Sequence, residues 1–351
     1  MENIENNENI EVNKRIFQSC DWLEHGIIFD HCNLVRVCCS QCNEGGGRPI
    51  LLHGYHGEPI DWERLFNKKN EMRDVQRTGE TYEKCKGCIL LHDGEWDDEN
   101  YINRLLLTHW TDCNCRCIYC PAIRDEELKR VNKHYDILPV LRDMCEKNIL
   151  DKHAFISIAG GESTIYPEFE DMLHLLLDYG CDNVLINSSG IKYSNAIEKG
   201  LSEHKIQLVI SVDAGTRETY EKIKLVHTYD KVMDNLRNYA LAQGEKKFCL
   251  CSKFIIVPDY NDNEKEIELW LKNAKELGIE EVAIDVDWRW IQKNFDRLQQ
   301  ERRIYELIVF AKQVADRENL KLRYDERASI MRRIHHVKTA VFGGTIRKIK
   351  E

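Results

Sequence analysis

Three features are missing from the 351-residue sequence, and each absence excludes a class of protein. The chain has no apolar run long enough to span a bilayer, which takes about 20 residues. Its amino terminus lacks the basic and then apolar pattern of a signal peptide. It also lacks an excess of positive charge, since its net charge is −10 and a general nucleic-acid binder needs a basic surface. We therefore expect a cytoplasmic protein that binds neither a membrane nor a nucleic acid.

Cysteine, in contrast, is abundant, and most of the 15 cysteines fall into groups. In a reducing compartment, grouped cysteines bind metal or take part in chemistry more often than they form disulfides. A secreted scaffold built on disulfides would also be much shorter. The odd number and the grouping of the cysteines therefore indicate metal binding.

Changes in composition divide the chain into four parts. Residues 1–14 are rich in Asn and Glu and have too few apolar positions to fold, so we expect a disordered lead. Residues 15–100 form a small cysteine-rich region. Residues 101–293 alternate short apolar strands with amphipathic helices, which predicts βα units and a parallel sheet. Residues 294–351 are expected to form a helical extension.

The spacing of apolar residues predicts where the elements lie. The strands of the alternating region are expected at 105–109, 154–159, 183–187, 207–212, 249–257 and 281–286. The helices are expected at 125–147, 167–179, 194–200, 217–242 with a break near His227, 263–277 and 294–318, followed by a short strand at 321–324. The cysteine-rich region is expected to hold strands at 26–29, 34–38 and 49–52 and a helix at 61–77.

One short loop concentrates the metal-binding chemistry. Cys113, Cys117 and Cys120 form a CxxxCxxC sequence with Tyr119 just before the last cysteine. Three thiolates this close in sequence can hold one face of an iron–sulfur cluster, whereas a complete site normally takes four cysteines. The site is therefore either completed from elsewhere in the chain or left open, so that a small molecule chelates the fourth iron.

This loop resembles the signature of the radical S-adenosylmethionine superfamily. An apolar strand precedes it, and Gly160-Gly161-Glu162 follows the next predicted strand. The resemblance implies a partial (β/α)6 barrel of the TIM type, with a [4Fe–4S] cluster on the three cysteines and S-adenosylmethionine on the fourth iron. Cys115 departs from the family, where an aliphatic residue is usual, and we interpret it as a small buried apolar residue rather than a ligand.

The resemblance also places the cofactor at the carboxyl ends of the barrel strands, where such barrels collect their functional residues. Gly160, Gly161 and Glu162 would bind the amino group of S-adenosylmethionine. The other candidate cofactor contacts are Tyr119, Ser188, Ser211, Asp213 and, against the adenine, Val257. The run from 211 to 224 resembles SPASM-type members of the family.

Three residues are candidates for a catalytic role: Asp213, Lys253 and Asp285. A lysine inside a barrel needs an acidic partner, and Asp213 and Asp285 are the two candidates. The alternative is that Lys253 points outward between helices. Asp285 and Asp287 precede two tryptophans and resemble the mouth of a substrate pocket, although they could equally be helix caps and packing at the barrel rim.

A second group of cysteines precedes the predicted barrel. Two CxxC pairs, Cys39 with Cys42 and Cys85 with Cys88, could bind one metal centre with two sulfurs each. The spacing alone fits either zinc or an iron–sulfur cluster. Beside a radical S-adenosylmethionine core we favour an auxiliary [4Fe–4S] cluster in a SPASM-like or twitch-like region at the amino terminus. Cys38 could replace Cys39 or Cys42, and Cys20 and Cys32 are interpreted as buried thiols.

The resemblance implies an enzyme of oxidoreductase or epimerase type. A flavodoxin-type or ferredoxin-type reductant would supply one electron, and S-adenosylmethionine would break into methionine and a 5′-deoxyadenosyl radical. That radical would abstract hydrogen from a peptide, a sugar or a small metabolite, and the auxiliary cluster would assist oxidation or bind substrate. Two other hypotheses are a zinc-binding regulator without enzymatic activity and an iron–sulfur electron carrier. The regulator does not explain an open three-cysteine loop followed by Gly-Gly-Glu.

Overall fold

The computed structural model describes residues 15–38, 48–120, 135–244, 248–287 and 298–324. The described residues form two compact units. Unit 1 draws on 1–109 and 135–156, and unit 2 draws on 110–134 and 157–351. Within the described ranges, no helix is long and apolar enough to cross a membrane.

In its described residues, unit 1 contains short strands and α-helices. Its strands are β1 (Arg15–Ser19), β2 (Gly26–Asp30), β3 (Leu34–Arg36), β4 (Ile50–His53), β5 (His92–Trp96) and β6 (Ile102–Thr108). Its helices are α1 (Asp21–His25), α2 (Trp62–Arg77) and α3 (Leu138–Glu146). Strand β2 pairs in parallel with β6 and antiparallel with β3, β3 pairs antiparallel with β4, and β1 forms a separate antiparallel pair with β5.

Helix α2 is held in unit 1 by a capping residue, an apolar face and a buried lysine. The Asp61 side chain accepts a hydrogen bond from the backbone N–H of Arg64 at 3.1 Å, which satisfies one of the free donors at the helix start. Leu65 and Met72 lie on its buried face. Lys69 is fully buried, and its ammonium donates to the backbone oxygen of Gly26 at 2.8 Å. The helix is therefore attached to β2 by both apolar packing and a hydrogen bond.

Unit 2 contains a parallel sheet with helices between its strands. Strand β7 (Leu150–Ile158) begins in unit 1 and ends in unit 2. The following strands, each parallel to its neighbour, are β8 (Val184–Ser188), β9 (Ile206–Ser211), β10 (Leu250–Ile256), β11 (Glu281–Val286) and β12 (Lys321–Tyr324). The helices are α4 (Phe169–Tyr179), α5 (Asn195–Ser202), α6 (Arg217–Lys224), α7 (Tyr229–Ala242), α8 (Glu264–Glu276) and α9 (Leu298–Glu318).

The two faces of the sheet have different surroundings, as the side chains of β10 show. Phe254 packs on the α8 residue Trp270 with 5.0 Å between ring centroids, and the indole N–H of Trp270 donates to the Ser252 hydroxyl at 2.9 Å. Because side chains alternate along a strand, Lys253 and Ile255 lie on the face opposite α8. That opposite face carries the polar residues at the strand ends.

The α/β class and the parallel sheet predicted from the sequence are confirmed, and they are consistent with a partial barrel of the TIM type. In the described part of the chain, no strand pairing closes the sheet into a complete barrel. The predicted break near His227 is also confirmed, because α6 ends at Lys224 and α7 begins at Tyr229. The predicted disordered lead and the part of the predicted helical extension after Tyr324 lie outside the described residues.

One predicted helix boundary was wrong, and one strand pair was not predicted. The helix predicted at 125–147 begins only at Leu138 among the described residues, since 135–137 are not helical and 121–134 are not described. The pairing of β1 with β5 was missed because the sequence of β5, HDGEW, has no apolar alternation to reveal a strand.

Candidate active site

The cysteine loop is hydrogen-bonded to the last turn of α6. The backbone N–H of Arg116 donates to the carbonyl of Lys224, and that of Ile118 donates to the carbonyl of Ile223, both at 2.9 Å. These carbonyls have no partner within the helix, because the last turn of any helix leaves its C=O groups free. The loop therefore gains fixed backbone positions from the end of α6.

The thiols of the loop are close to one another. Cys113, Cys117 and Cys120 are partly exposed, whereas Cys115 is only 1% exposed. The Cys115 side chain hydrogen-bonds to the sulfurs of Cys113 and Cys117, which lowers the pKa of both, that of Cys117 to about 6. The thiolate is the form of cysteine that binds metal. The three predicted ligands are thus accessible, and the local hydrogen bonds favour the form that an iron–sulfur cluster requires.

Nowhere in the described ranges are three His, Cys, Asp or Glu side chains already spaced for a single metal ion. Sulfurs that share one zinc ion at about 2.3 Å must lie within about 4 Å of each other. In a [4Fe–4S] cluster each thiolate ligates a different iron, so its sulfurs lie farther apart. The donor set of the loop fits a cluster better than a single ion.

The Gly-Gly-Glu turn lies directly against the start of the cysteine loop. Gly161 has φ +51°, and a Cβ on it would come within 2.4 Å of the Asp112 carbonyl oxygen and 2.6 Å of the Thr111 carbonyl carbon. The backbone N–H of Glu162 donates to the same Asp112 oxygen at 2.8 Å. Only glycine allows this approach of the two backbones. The structure thus brings together the two motifs that the sequence singled out.

Glu162 is 1% exposed, and its carboxylate accepts four hydrogen bonds. The donors are the Thr164 N–H at 3.2 Å, the Thr164 hydroxyl at 2.6 Å, the Ser188 hydroxyl at 2.8 Å and the Ser189 N–H at 2.5 Å. An ionised carboxylate offers about four acceptor sites. The contact of Glu162 with an ammonium group therefore stays a prediction. In the structure, Glu162 holds the end of β8 in position.

The end of β8 is joined in turn to the cysteine loop. The Ser189 hydroxyl donates to the Asn114 side-chain oxygen at 3.0 Å. Ser188, a predicted cofactor contact, is buried and already donates to Glu162. Glu162, Ser189 and Asn114 therefore form a chain of hydrogen bonds from the turn to the loop.

Asp213 lies at the end of β9 and is completely buried. Its carboxylate accepts from the Tyr119 hydroxyl at 2.5 Å, from the backbone N–H of Ile255 at 2.7 Å and from the Lys224 ammonium. Its φ of +59° is unusual for a residue with a side chain and carries local strain. The predicted cofactor contacts Tyr119 and Asp213 are thus brought together, but they contact each other.

Lys224 completes this buried group, and the sequence did not reveal it. Its side chain is 3% exposed, and its ammonium lies 3.1 Å from the Tyr119 hydroxyl. Burial lowers the pKa of Lys224, but the surrounding negative groups, first Asp213 and then Tyr119, Cys117 and Cys115, together hold that pKa well above its ordinary value. Burial and the charge of Asp213 raise the pKa of Tyr119. Lys224 lies shortly before the predicted break near His227, and nothing in the sequence distinguishes it from an ordinary solvated lysine of a helix.

Lys253 pairs with Asp285, one of its two expected partners, at 3.1 Å from ammonium to carboxylate. The other expected partner, Asp213, is occupied by Lys224. Ser211 lies beside Lys253 in the pairing of β9 with β10. The side chains of Lys253 and Asp285 are 26% and 40% exposed, so this pair is accessible to a ligand.

Val257 was expected to contact an adenine, but it is 3% exposed. It packs with Ile118 of the cysteine loop and Ile223 of α6 in a small apolar cluster. Its backbone N–H donates at 2.6 Å to the side chain of Asn261, whose amide group donates to the carbonyls of Asp213 and Ile255, both at 2.8 Å. Asn261 fixes the two strand ends and had no signal in the sequence, since it lies in an ordinary polar turn.

The cysteines of the second group are only partly described. Cys39 and Cys42 lie outside the described residues. Cys38, Cys85 and Cys88 belong to unit 1.

A family comparison assigns the region that contains these motifs. Residues 107–274 match the model of the Radical SAM superfamily. This part of the chain is therefore a radical S-adenosylmethionine domain, and it includes both the three-cysteine loop and the Gly-Gly-Glu turn. The superfamily implies S-adenosylmethionine and a [4Fe–4S] cluster as cofactors.

Curated relatives match part of the chain, and about a quarter of the aligned residues are identical. Proteins described as probable GTP 3′,8-cyclase from Saccharolobus islandicus strain Y.N.15.51 and from Saccharolobus solfataricus are each 24% identical over 181 residues. The matches cover 52% of this chain and 55% of each relative. The chain thus spans about half the length of the curated relatives that it matches.

Solved structures support the fold. Streptococcus suis SuiB bound to its precursor peptide SuiA has a TM-score of 0.51 and 16% identity, covering 84% of this chain and 58% of SuiB. SuiB bound to S-adenosylmethionine has a TM-score of 0.51 and 15% identity, covering 82% and 59%. At this identity the likeness concerns the fold alone.

Replacing Cys115 with alanine tests whether this buried thiol is a fourth ligand. We expect the C115A variant to keep the iron of the loop and its cleavage of S-adenosylmethionine within about threefold, because alanine conserves a small apolar group in a buried position. Iron analysis and cleavage assays on the reconstituted variant measure both. Loss of most of the iron from the loop would identify Cys115 as a ligand.

Proposed function

We propose that the chain cleaves S-adenosylmethionine reductively at a [4Fe–4S] cluster held by Cys113, Cys117 and Cys120, and uses the resulting radical to abstract hydrogen from a substrate. One observation carries the proposal: the Gly160–Glu162 turn contacts the backbone at the base of the three-cysteine loop, with Glu162 N–H to Asp112 oxygen at 2.8 Å. This contact brings the turn, which we propose binds the amino acid part of the cofactor, next to the loop that carries the three thiolates.

A [4Fe–4S] cluster held by Cys113, Cys117 and Cys120, with S-adenosylmethionine, would supply the difficult chemistry: one electron from a flavodoxin-type or ferredoxin-type reductant would allow cleavage to methionine and a 5′-deoxyadenosyl radical, which would take a hydrogen atom to give 5′-deoxyadenosine. The protein's own residues position these groups. Glu162 holds the end of β8, which Ser189 joins to the cysteine loop, while Asp213 and Lys224 hold Tyr119 of that loop.

We infer that substrate or cofactor polar groups contact the opposite-charge pair of Lys253 and Asp285, together with Ser211. This pair lies on the sheet face away from α8 and is partly exposed. It offers one cation and one anion 3.1 Å apart, which suits a polar partner with an acceptor or anionic group for Lys253 and a hydrogen-bond donor for Asp285, such as a peptide, a sugar or a small polar metabolite. The likeness to SuiB, solved with a precursor peptide, makes a peptide the first substrate class to test.

The proposal also includes an auxiliary [4Fe–4S] cluster in unit 1, which would accept an electron from a substrate radical or bind substrate directly. With such a cluster the net reaction is an oxidation. If a thiol instead returned a hydrogen atom to the substrate radical, the net reaction would be an epimerisation.

Reductive cleavage of S-adenosylmethionine tests the proposed activity. Protein reconstituted anaerobically with iron and sulfide is reduced with dithionite, and methionine and 5′-deoxyadenosine are quantified. We expect both products in about equal amounts from the wild type, and none above background from a variant with alanine at Cys113, Cys117 and Cys120. Colourless protein that contains only zinc would support the regulator instead, and brown protein that reduces without cleavage would support the electron carrier.

A further inference from the structure

Four cysteines from three separate stretches of unit 1 line one small cavity. They are Cys20, Cys38, Cys85 and Cys88. The rest of the wall is nearly all apolar, with Leu23 and Val37 among its residues. Cys20 interacts electrostatically with Cys38 and Cys88, and Cys85 interacts with Cys20, Cys38 and Cys88. The four thiols are therefore neighbours of one another around a single space.

Regular elements place each of these cysteines. Cys20 lies between β1 and α1, where its sulfur accepts a hydrogen bond from the Leu23 N–H at 3.4 Å. Cys38 follows β3, after Val37, whose N–H donates to the Pro49 carbonyl at 3.1 Å. The positions of these two cysteines thus depend on the unit's own strands and helix.

Cys85 and Cys88 form a tight turn of the kind that presents two sulfurs to one centre. The Cys88 N–H donates to the Cys85 carbonyl at 3.0 Å, and Gly87 supplies a φ of +69° that the turn needs. Lys84 precedes the turn and also lines the cavity. A positive side chain there would offset the negative charge of a centre bound by four thiolates.

Other cysteines of unit 1 have different surroundings. Cys32 is partly exposed and has Asp30, Arg36 and Arg48 as its charged neighbours. Cys145 is buried beside Arg142 and Glu146. Neither Cys32 nor Cys145 lines the cavity. The four thiols are therefore grouped by their positions in the fold and not simply because the unit contains many buried cysteines.

We propose that Cys20, Cys38, Cys85 and Cys88 are the four ligands of the auxiliary [4Fe–4S] cluster. This ligand set rests on the auxiliary cluster of the proposed function and replaces Cys39 and Cys42 with Cys20 and Cys38. Cys20 could not be chosen from the spacing of the cysteines, because it stands alone, 18 residues before Cys38. The fold, not the spacing, brings it to the CxxC turn.

A [4Fe–4S] cluster takes four thiolates, each on its own iron. The four thiols around this cavity supply that number, and the nearly apolar wall would shield a cluster from water. Zinc also accepts four thiolates, so metal analysis decides between the two centres.

Iron counting on a variant that lacks the first site tests this ligand set. In the full chain with alanine at Cys113, Cys117 and Cys120, we expect about four irons and four sulfides after anaerobic reconstitution. Adding Cys20→Ala, or separately Cys38→Ala, should reduce the iron to below about one. Adding Cys39→Ala with Cys42→Ala, or the control Cys32→Ala, should leave about four. Circular dichroism verifies that each variant is folded, and two independent ligand variants guard against a loss caused by misfolding of one.

The outcomes separate this inference from the proposed function. Retention of about four irons in both C20A and C38A, or loss of iron in the Cys39 and Cys42 variant, would overturn the ligand set. Zinc bound in place of iron would overturn the cluster. A wild type that holds no more iron than the background variant would instead contradict the cluster at the first site and leave the second intact.

Discussion

Replacing Lys224 with methionine is expected to destabilise the protein by about 3–5 kcal/mol, because it leaves the carboxylate of Asp213 buried without its positive partner. Asp213 is completely buried, and the side chain of Lys224 is 3% exposed. Methionine nearly matches the volume of lysine, so the loss is mainly one of charge. Urea unfolding of wild type and K224M, followed by circular dichroism, measures the difference.

A second substitution shows whether the cause is the uncompensated charge. In the double variant K224M/D213N the buried group is neutral, and asparagine tolerates the positive φ that Asp213 adopts. We expect the double variant to recover at least about 1 kcal/mol relative to K224M. The control R237M breaks an exposed pair with Asp234, which should cost only about 0–1 kcal/mol. If K224M were no less stable than R237M, the buried ion pair would not have the role assigned here.

Replacing Gly161 with alanine is expected to reduce cleavage of S-adenosylmethionine about 100-fold. The added Cβ would lie 2.4 Å from the Asp112 oxygen, so one of the two backbones must move by about 1 Å to reach ordinary contact. A displacement of this size at a reacting centre costs about two orders of magnitude in rate. The moved segment leads directly into Cys113, so the yield of iron at this site should fall as well. Single-turnover formation of 5′-deoxyadenosine measures the effect.

A matched glycine separates the clash from the strain of the backbone. Gly278 also has a positive φ, +76°, but nothing lies within 4 Å of the position that its Cβ would take. Both G161A and G278A therefore carry the cost of a left-handed alanine, about 1 kcal/mol, and only G161A adds the clash. We expect G278A to cleave within about twofold of wild type. Equal activity of the two variants would contradict the role given to the contact between Gly161 and Asp112.

The motifs were readable from the sequence because their chemistry is local. Cys113, Cys117 and Cys120 lie within eight residues, and the Gly-Gly-Glu turn follows the next strand, so both motifs could be recognised as resembling one family, and that resemblance connected them to one reaction. The strands were predictable for the same reason, since apolar runs such as 281–286 need no tertiary information to be recognised. The predicted bounds of that strand and of 321–324 match the structure.

The hydrogen-bond partners of the motif residues could not be predicted from the sequence, because these partners are distant from the motifs in the chain. Asp213 and Tyr119 are 94 residues apart, and the hydrogen bond between them depends on the fold. Lys224 lies at the end of α6, and its pairing with Asp213 also depends on the fold. Glu162 and Val257 were expected to face a ligand, yet their surroundings are protein. The sequence motifs indicated the family and its cofactors, whereas the contacts that support the motif residues became visible only in the structure.

The central claim is that the cluster on Cys113, Cys117 and Cys120 keeps one iron open to S-adenosylmethionine. Electron paramagnetic resonance of the reduced cluster tests it most directly, in a full-length variant with alanine at Cys85 and Cys88 so that the auxiliary cluster contributes no signal. The account predicts that adding S-adenosylmethionine changes the g values of the [4Fe–4S]⁺ signal, because the cofactor becomes a ligand of the fourth iron. A signal that is identical with and without saturating S-adenosylmethionine would contradict it.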